Sequence, residues 1–155
     1  MNYYNFQYRD DLPKLPDSMI EMLFVDVENA SWHSSPNYRW YACHDLVKLW
    51  LREHIDSVVP INKIGLQEMV GEILPHKDIG RNYALNYLLT TGGGVLSHYT
   101  QIIGNYKGGF VSLNNVVQTS IVDIQPFRWH IICTSELHGV SNICAPRKAI
   151  TLNVV

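Results

Sequence analysis

The chain has 155 residues, 46% of them hydrophobic and 17% charged, with a formal net charge of −2. At roughly 100–200 residues per domain this is one domain large enough to bury its own core, and the apolar content excludes an intrinsically disordered chain. A nearly balanced charge without any block of like charges offers no electrostatic footprint for nucleic acid or an anionic membrane, so the expected partner is a small-molecule or peptidyl substrate.

The N-terminal stretch MNYYNFQYRDD has no basic segment leading into an apolar one, and no run approaches the roughly 18 apolar residues of a membrane span. A cytoplasmic location without membrane association is expected. Cys43, Cys133 and Cys144 are odd in number and lack C-x-x-C spacing, which predicts reduced core thiols rather than a disulfide framework or a structural zinc site.

In chain order, LPDSMIEML places Ser18 three residues before Glu21, a capping-box arrangement that predicts a short helix. SWHSSPNYRW is turn-rich. ACHDLVKLWLREHI then sets Leu46, Leu49, Trp50 and Glu53 at helical spacing, the strongest helix signal in the chain. From Pro60 onward short apolar or β-branched runs are punctuated by Gly, Asn and Pro: INKIGLQEMV, GEILPHKD, NYALNYLLTT, VLSHYTQI, GFVSL, VVQTSIVDI, RWHIICT, GVSNI and KAITLNVV. These predict eight or nine strands in a sandwich or barrel. The expected fold is mainly β with supporting helices, in a single domain: about 1–59 as helical or irregular support, about 60–155 as the β core. The glycines of TTGGGVL and GNYKGG read as turns.

The chemistry concentrates in ILPHKDIGRNYALNYLL, where His76 and Asp78 stand two apart at the end of an apolar strand, so that a period of two turns both to one face. Such a pair alone recurs by accident. LHGVSNICAPRKAITLNV adds His138 ahead of one strand and Arg147 at the start of the last. Two histidines and one carboxylate on one face leave further coordination positions open, the arrangement of non-haem Fe(II) oxygenases.

On these residues the sequence resembles the Fe(II)/2-oxoglutarate-dependent dioxygenases, especially their small phage-type, prolyl- and aspartyl/asparaginyl-hydroxylase-like members, over roughly Ile61 to Val155. The resemblance implies a double-stranded β-helix (jelly-roll, cupin-like) core, with His76, Asp78 and His138 as ligands of Fe(II). It also implies 2-oxoglutarate as cosubstrate, with its far carboxylate on Arg147. The reaction expected from it uses O2 and hydroxylates an unactivated C–H bond of an amino acid, peptide or small molecule, releasing succinate and CO2. Many members carry Arg-x-Ser on the last strand, whereas here Ala149 stands two residues after Arg147. A replacement hydroxyl is sought among Thr151, Tyr83, Tyr87 and Tyr99, with Tyr99 favoured, and Asn86 is placed near the other carboxylate of 2-oxoglutarate.

Arg81, three residues beyond Asp78, is expected to orient that carboxylate or to meet an acidic substrate group. His130, in an apolar strand, reads as a core or rim residue, and His98 lacks a partner at ligand spacing. His33, His44 and His54 precede the β core, with His44-Asp45 read as a polar pair within a helix. Two other readings stand beside the dioxygenase. HGVSN has the His-x-x-x-Asn spacing of a second cupin motif, which would give a cupin-type metalloenzyme without 2-oxoglutarate, although HKDIGR does not match the first motif. The other is a jelly-roll binding module without catalysis.

Overall fold

The computed structural model describes residues 5–27 and 36–155. Its elements are β1 (Phe6–Tyr8), α1 (Asp17–Met22), β2 (Tyr38–Tyr41), α2 (Asp45–His54), β3 (Ile61–Met69), β4 (Ile73–His76), β5 (Tyr83–Thr90), β6 (Val95–Gln101), a 3-10 turn (Leu113–Asn115), β7 (Val116–Val122), β8 (Trp129–Cys133), β9 (His138–Ser141) and β10 (Arg147–Val154). All strand pairs are antiparallel and form two sheets, ordered β1-β8-β5-β10-β3-β2 and β4-β9-β6-β7. From β3 to β10 the chain winds back and forth between the sheets, which is the jelly-roll winding of a double-stranded β-helix.

The larger sheet is covered on both faces, and strand alternation sorts its residues between them. Leu66, Leu85, Tyr87, Trp129, Ile131, Ile150 and Leu152 point outward into a core closed by Val47, Leu51 and Ile55 of the α2 region and by Leu12, Leu15 and Leu23. Their neighbours Met69, Ala84, Leu88, Ile132 and Ala149 face the smaller sheet, where they meet Ile73, Leu96, Ile124 and Val140. A smaller cluster of Val111, Val116 and Leu137, with Tyr99 and Tyr106 against it, lies at one end.

Several sequence expectations shift in register. Helix α1 begins at Asp17 behind an extended Pro16, whose carbonyl accepts from Met19 and Ile20. Ser18 therefore lies inside the first turn and makes no cap. In α2 the buried stripe is Val47 and Leu51, while Leu46 and Leu49 are exposed, because the helix packs through positions one residue later than the spacing suggested. His44 precedes this helix as its N-cap residue, and its Nε2 is 2.8 Å from the Val25 carbonyl.

The first part of the chain is not only helical or irregular: β1 and β2 extend the larger sheet at both edges. GFVSL forms no strand, since Gly108 and Gly109 take positive φ and Ser112 caps the 3-10 turn, leaving Val111 with one backbone bond to Pro75. Cys43 and Cys133 are buried free thiols, but Cys144 is exposed beside the Gly92 turn. His33 lies outside the described residues. No helix among the described residues is long and apolar enough to cross a membrane.

Candidate metal centre

His76 ends β4 and His138 begins β9, and the two are direct cross-strand partners, with ring centroids 4.5 Å apart. Their approach depends on Gly139: a Cβ there would lie 2.5 Å from the Ile73 carbonyl oxygen and would push β9 away from β4. Asp78 follows β4 in a loop held by its own N–H, which donates to Thr134 O at 2.9 Å, while Thr134 Oγ1 donates to the Arg81 carbonyl. The sequence therefore brings residues 60 positions apart to one mouth of the barrel through strand pairing and one tethered loop.

The donor atoms face one another. His76 Nε2 is 3.2 Å and His138 Nε2 3.4 Å from Asp78 Oδ1, and one ligand atom from each residue falls within 4.8 Å of the others. Each ring is oriented from behind, His76 Nδ1 lying 2.9 Å from Leu74 O and His138 Nδ1 2.9 Å from Glu136 O. A carbonyl only accepts, so both Nδ1 atoms carry a proton, and each Nε2 faces Asp78, to which it donates when it holds a proton and beside which it offers a lone pair to a metal when it does not. Three electron-rich atoms at such spacing repel unless a cation or added protons lie between them. The donor set fits a divalent metal, and two imidazoles plus one carboxylate suit Fe(II).

The other oxygen of Asp78 is occupied by Arg81, whose Nε donates to Oδ2 at 2.6 Å. Arg81 Nη1 also donates to Thr151 Oγ1 at 2.9 Å and Asn153 Oδ1 at 3.1 Å, fixing the guanidinium to β10. Of the two roles considered for Arg81, the structure gives it the first. Burial disfavours the Asp78 carboxylate, but hydrogen bonds from His138 and His76 and the charge of Arg81 outweigh it and hold the group well below the usual carboxylate range.

Inside the triad lies a narrow chamber of about 50 Å³ between the sheets, whose polar lining residues include Gln67, Asn86, His130 and Arg147. This is room for a few waters or the slender end of a small acid. Arg147 is 5% exposed; its Nη1 donates to Thr91 O at 3.1 Å and Gly94 O at 2.9 Å. Burial lowers its pKa to about 10, and no carboxylate is hydrogen-bonded to it among the described residues. Asn86 Oδ1 and Gln67 Oε1 are buried without a hydrogen-bond partner. His130 is fully enclosed, with its pKa lowered to about 4 by burial and by the charge of Arg147, so it is neutral.

Of the predicted site residues, His76, Asp78, His138, Arg147 and Asn86 thus border one cavity. Tyr83 and Tyr99 do not. Tyr83 lies three residues from Asn86 on the same strand, so alternation turns it to the outer face of β5, where it packs against the helix-side core. Tyr99 follows a register irregularity after His98 and packs in the cluster at the barrel end. Tyr87 also faces outward, against Trp129, and Thr151 is engaged by Arg81. His98 is buried with Nε2 2.9 Å from Cys133 O. Gln67 was missed, although a polar residue two positions after Gly65 in an apolar strand carried the same signal as Asn86. Asn142, the cupin-spaced asparagine, sits in a positive-φ turn after β9 and does not line the chamber.

No family model matches the sequence, and no curated protein matches it. Among solved structures, Escherichia coli ycfD aligns with a TM-score of 0.50 at 12% identity, over 81% of this chain and 36% of that one. A second structure, described as the Escherichia coli ribosomal oxygenase YcfD, gives 0.44 at 10% identity over 80% of this chain and 34% of that one. Oxalate decarboxylase from Bacillus subtilis, described with its Mn(II) centres, gives 0.41 at 14% identity over 77% and 26%. The chain thus spans about a quarter to a third of the length of these structures. At such identity the likeness to ycfD is one of fold, and it agrees with the jelly-roll winding of the two sheets.

Proposed function

We propose that the chain is an Fe(II)- and 2-oxoglutarate-dependent oxygenase that hydroxylates a C–H bond of a small-molecule or peptidyl substrate. The observation that carries this reading is Arg147: a guanidinium without a hydrogen-bonded carboxylate, buried in the chamber that the His76, Asp78 and His138 ligand set closes. A buried cation is costly unless an anion meets it, and a planar guanidinium suits a carboxylate. The unpartnered oxygens of Asn86 and Gln67 and the neutral His130 add polar groups to the same chamber. In this reading one small dicarboxylic acid bridges the metal ligands and Arg147, which line the same chamber.

In this reading His76, Asp78 and His138 hold Fe(II), which when bound supplies the open positions and redox chemistry that couple O2 and 2-oxoglutarate to succinate, CO2 and a hydroxylated product. The Leu74 and Glu136 carbonyls keep both imidazoles in the ligating tautomer. Arg81 holds Oδ2 of Asp78 and leaves its Oδ1 facing the two histidines. Arg147 anchors the far carboxylate of 2-oxoglutarate, and the apolar lining from Leu88, Leu96, Ile124 and Ile132 limits water around it. The test is 2-oxoglutarate turnover to succinate with added Fe(II) and O2. Turnover should vanish in His76→Ala, Asp78→Ala and His138→Ala; retained turnover in any of the three overturns the ligand assignment.

A further inference from the structure

We infer that the outer chamber selects as substrate a small carboxylate with a flat apolar body; this rests on the oxygenase reading above. A second cavity of about 340 Å³ opens on the solvent side of His76 and Asp78. That is near the lower end of the roughly 300–1,000 Å³ typical of small-molecule sites, so it accommodates a compact molecule.

Its walls are aromatic. Tyr38 and Trp40 of β2 lie on one side, ring centroids 5.2 Å apart, and Phe110 borders the chamber edge-on to His76 at 5.3 Å. Phe110 is 57% and Ile79 99% exposed, so the rim offers apolar surface to an incoming ligand. A flat body between such rings gains both apolar burial and offset stacking.

The charges lining the chamber are uneven. Asp78 is the one carboxylate in the lining, and its charge is taken up by Arg81 and the two histidines. Lys77, next to the metal ligand, directs its ammonium over the Tyr106 ring at 5.1 Å and has no carboxylate partner among the described residues. Lys63 of β3 also lines the chamber. The net positive lining attracts an anion and repels an amine, and its aromatic walls favour an organic acid over a bare inorganic ion. A carboxylate near Lys77, with the ring system between Trp40 and Phe110, places the substrate body beside the ligand face of His76.

The experiment titrates metal-free protein with 2-naphthoate, 2-naphthamide and 2-naphthylmethylamine, three probes of one shape and different charge, by ligand-detected NMR. The acid should bind most tightly and the amine least. Lys77→Gln should weaken the acid about fivefold and leave the amide unchanged, as expected for loss of one partly screened charge pair. Phe110→Ala should weaken acid and amide equally, and Arg147→Ala should leave the preference for the acid intact. Equal binding of acid and amide, tighter binding of the amine, no binding of any probe, or loss of the preference in Arg147→Ala would overturn the assignment. Iron and 2-oxoglutarate are absent from this titration, so its failure leaves the oxygenase reading standing. Conversely, a clear preference for the acid in a chain without 2-oxoglutarate turnover would leave an anion-binding chamber and remove the oxygenase.

Discussion

The two faces of the larger sheet are built by the same strands, one residue out of step, and they do opposite work. Outward, Leu66, Leu85, Tyr87, Trp129, Ile131, Ile150 and Leu152 form a dry core under the helices. Inward, the same strands carry Gln67, Asn86, His130, Arg147 and Thr151, polar groups buried almost as deeply. A β-strand's period of two separates stability from chemistry within single elements, so that a polar cavity is supported by an apolar face directly behind it.

That division is broken most strongly from outside. Trp129 is 1% exposed, packs 4.9 Å from Tyr87 and donates from its Nε1 to Pro13 O. Trp129→Ala should cost about 3–5 kcal/mol in urea unfolding, while the fraction that remains folded binds metal as the parent does; weakened metal affinity in that fraction would show that the faces are not independent.

The inward face should instead show itself in pH dependence. His130 has a folded pKa of about 4, below the ordinary histidine value of 6.5. The unfolded chain therefore takes up the proton first: the stability contribution is complete above pH 6.5 and falls as pH is lowered toward 4. The loss over that interval should reach about 3 kcal/mol and should disappear from His130→Gln, measured as the difference in urea midpoint between the two proteins. An identical pH slope in both would place the titration elsewhere.

A finer division lies within the site itself. Arg81 touches Asp78 from the side away from the histidines, so Arg81→Gln should lower affinity for Fe(II) about 10- to 100-fold with little change in thermal stability. Unchanged affinity would mean that the Thr134 tether alone positions the carboxylate.

Much of this was legible in the sequence because local signals and final structure agree. His76-x-Asp78 at the end of an apolar strand, a distant His138 and Arg147 opening the last strand all lie at strand ends, where spacing along the chain translates directly into position. What was not legible depended on pairing between distant segments. β1 and β2, of three and four residues, exist because edge strands of the larger sheet are there to receive them. Tyr83 and Tyr99 lie away from the chamber for different reasons. Tyr83 differs in parity from Asn86, which alternation alone could have revealed. Tyr99 lies past an irregularity in the β6–β7 register that no spacing rule anticipates. The buried stripe of α2 likewise depends on which side the sheet lies, and a helix with apolar residues at Leu46, Val47, Leu49, Trp50 and Leu51 offers more than one choice.

The central claim is that one cavity joins a metal site to a carboxylate site, and the direct measurement is visible absorption of the anaerobic protein with Fe(II) and 2-oxoglutarate. A charge-transfer band should form in the parent chain and be absent from His76→Ala. In Arg147→Ala it should require about tenfold more 2-oxoglutarate at unchanged iron occupancy, the loss of one charge-assisted carboxylate contact. Iron bound without a band, or a band indifferent to Arg147, would contradict the account.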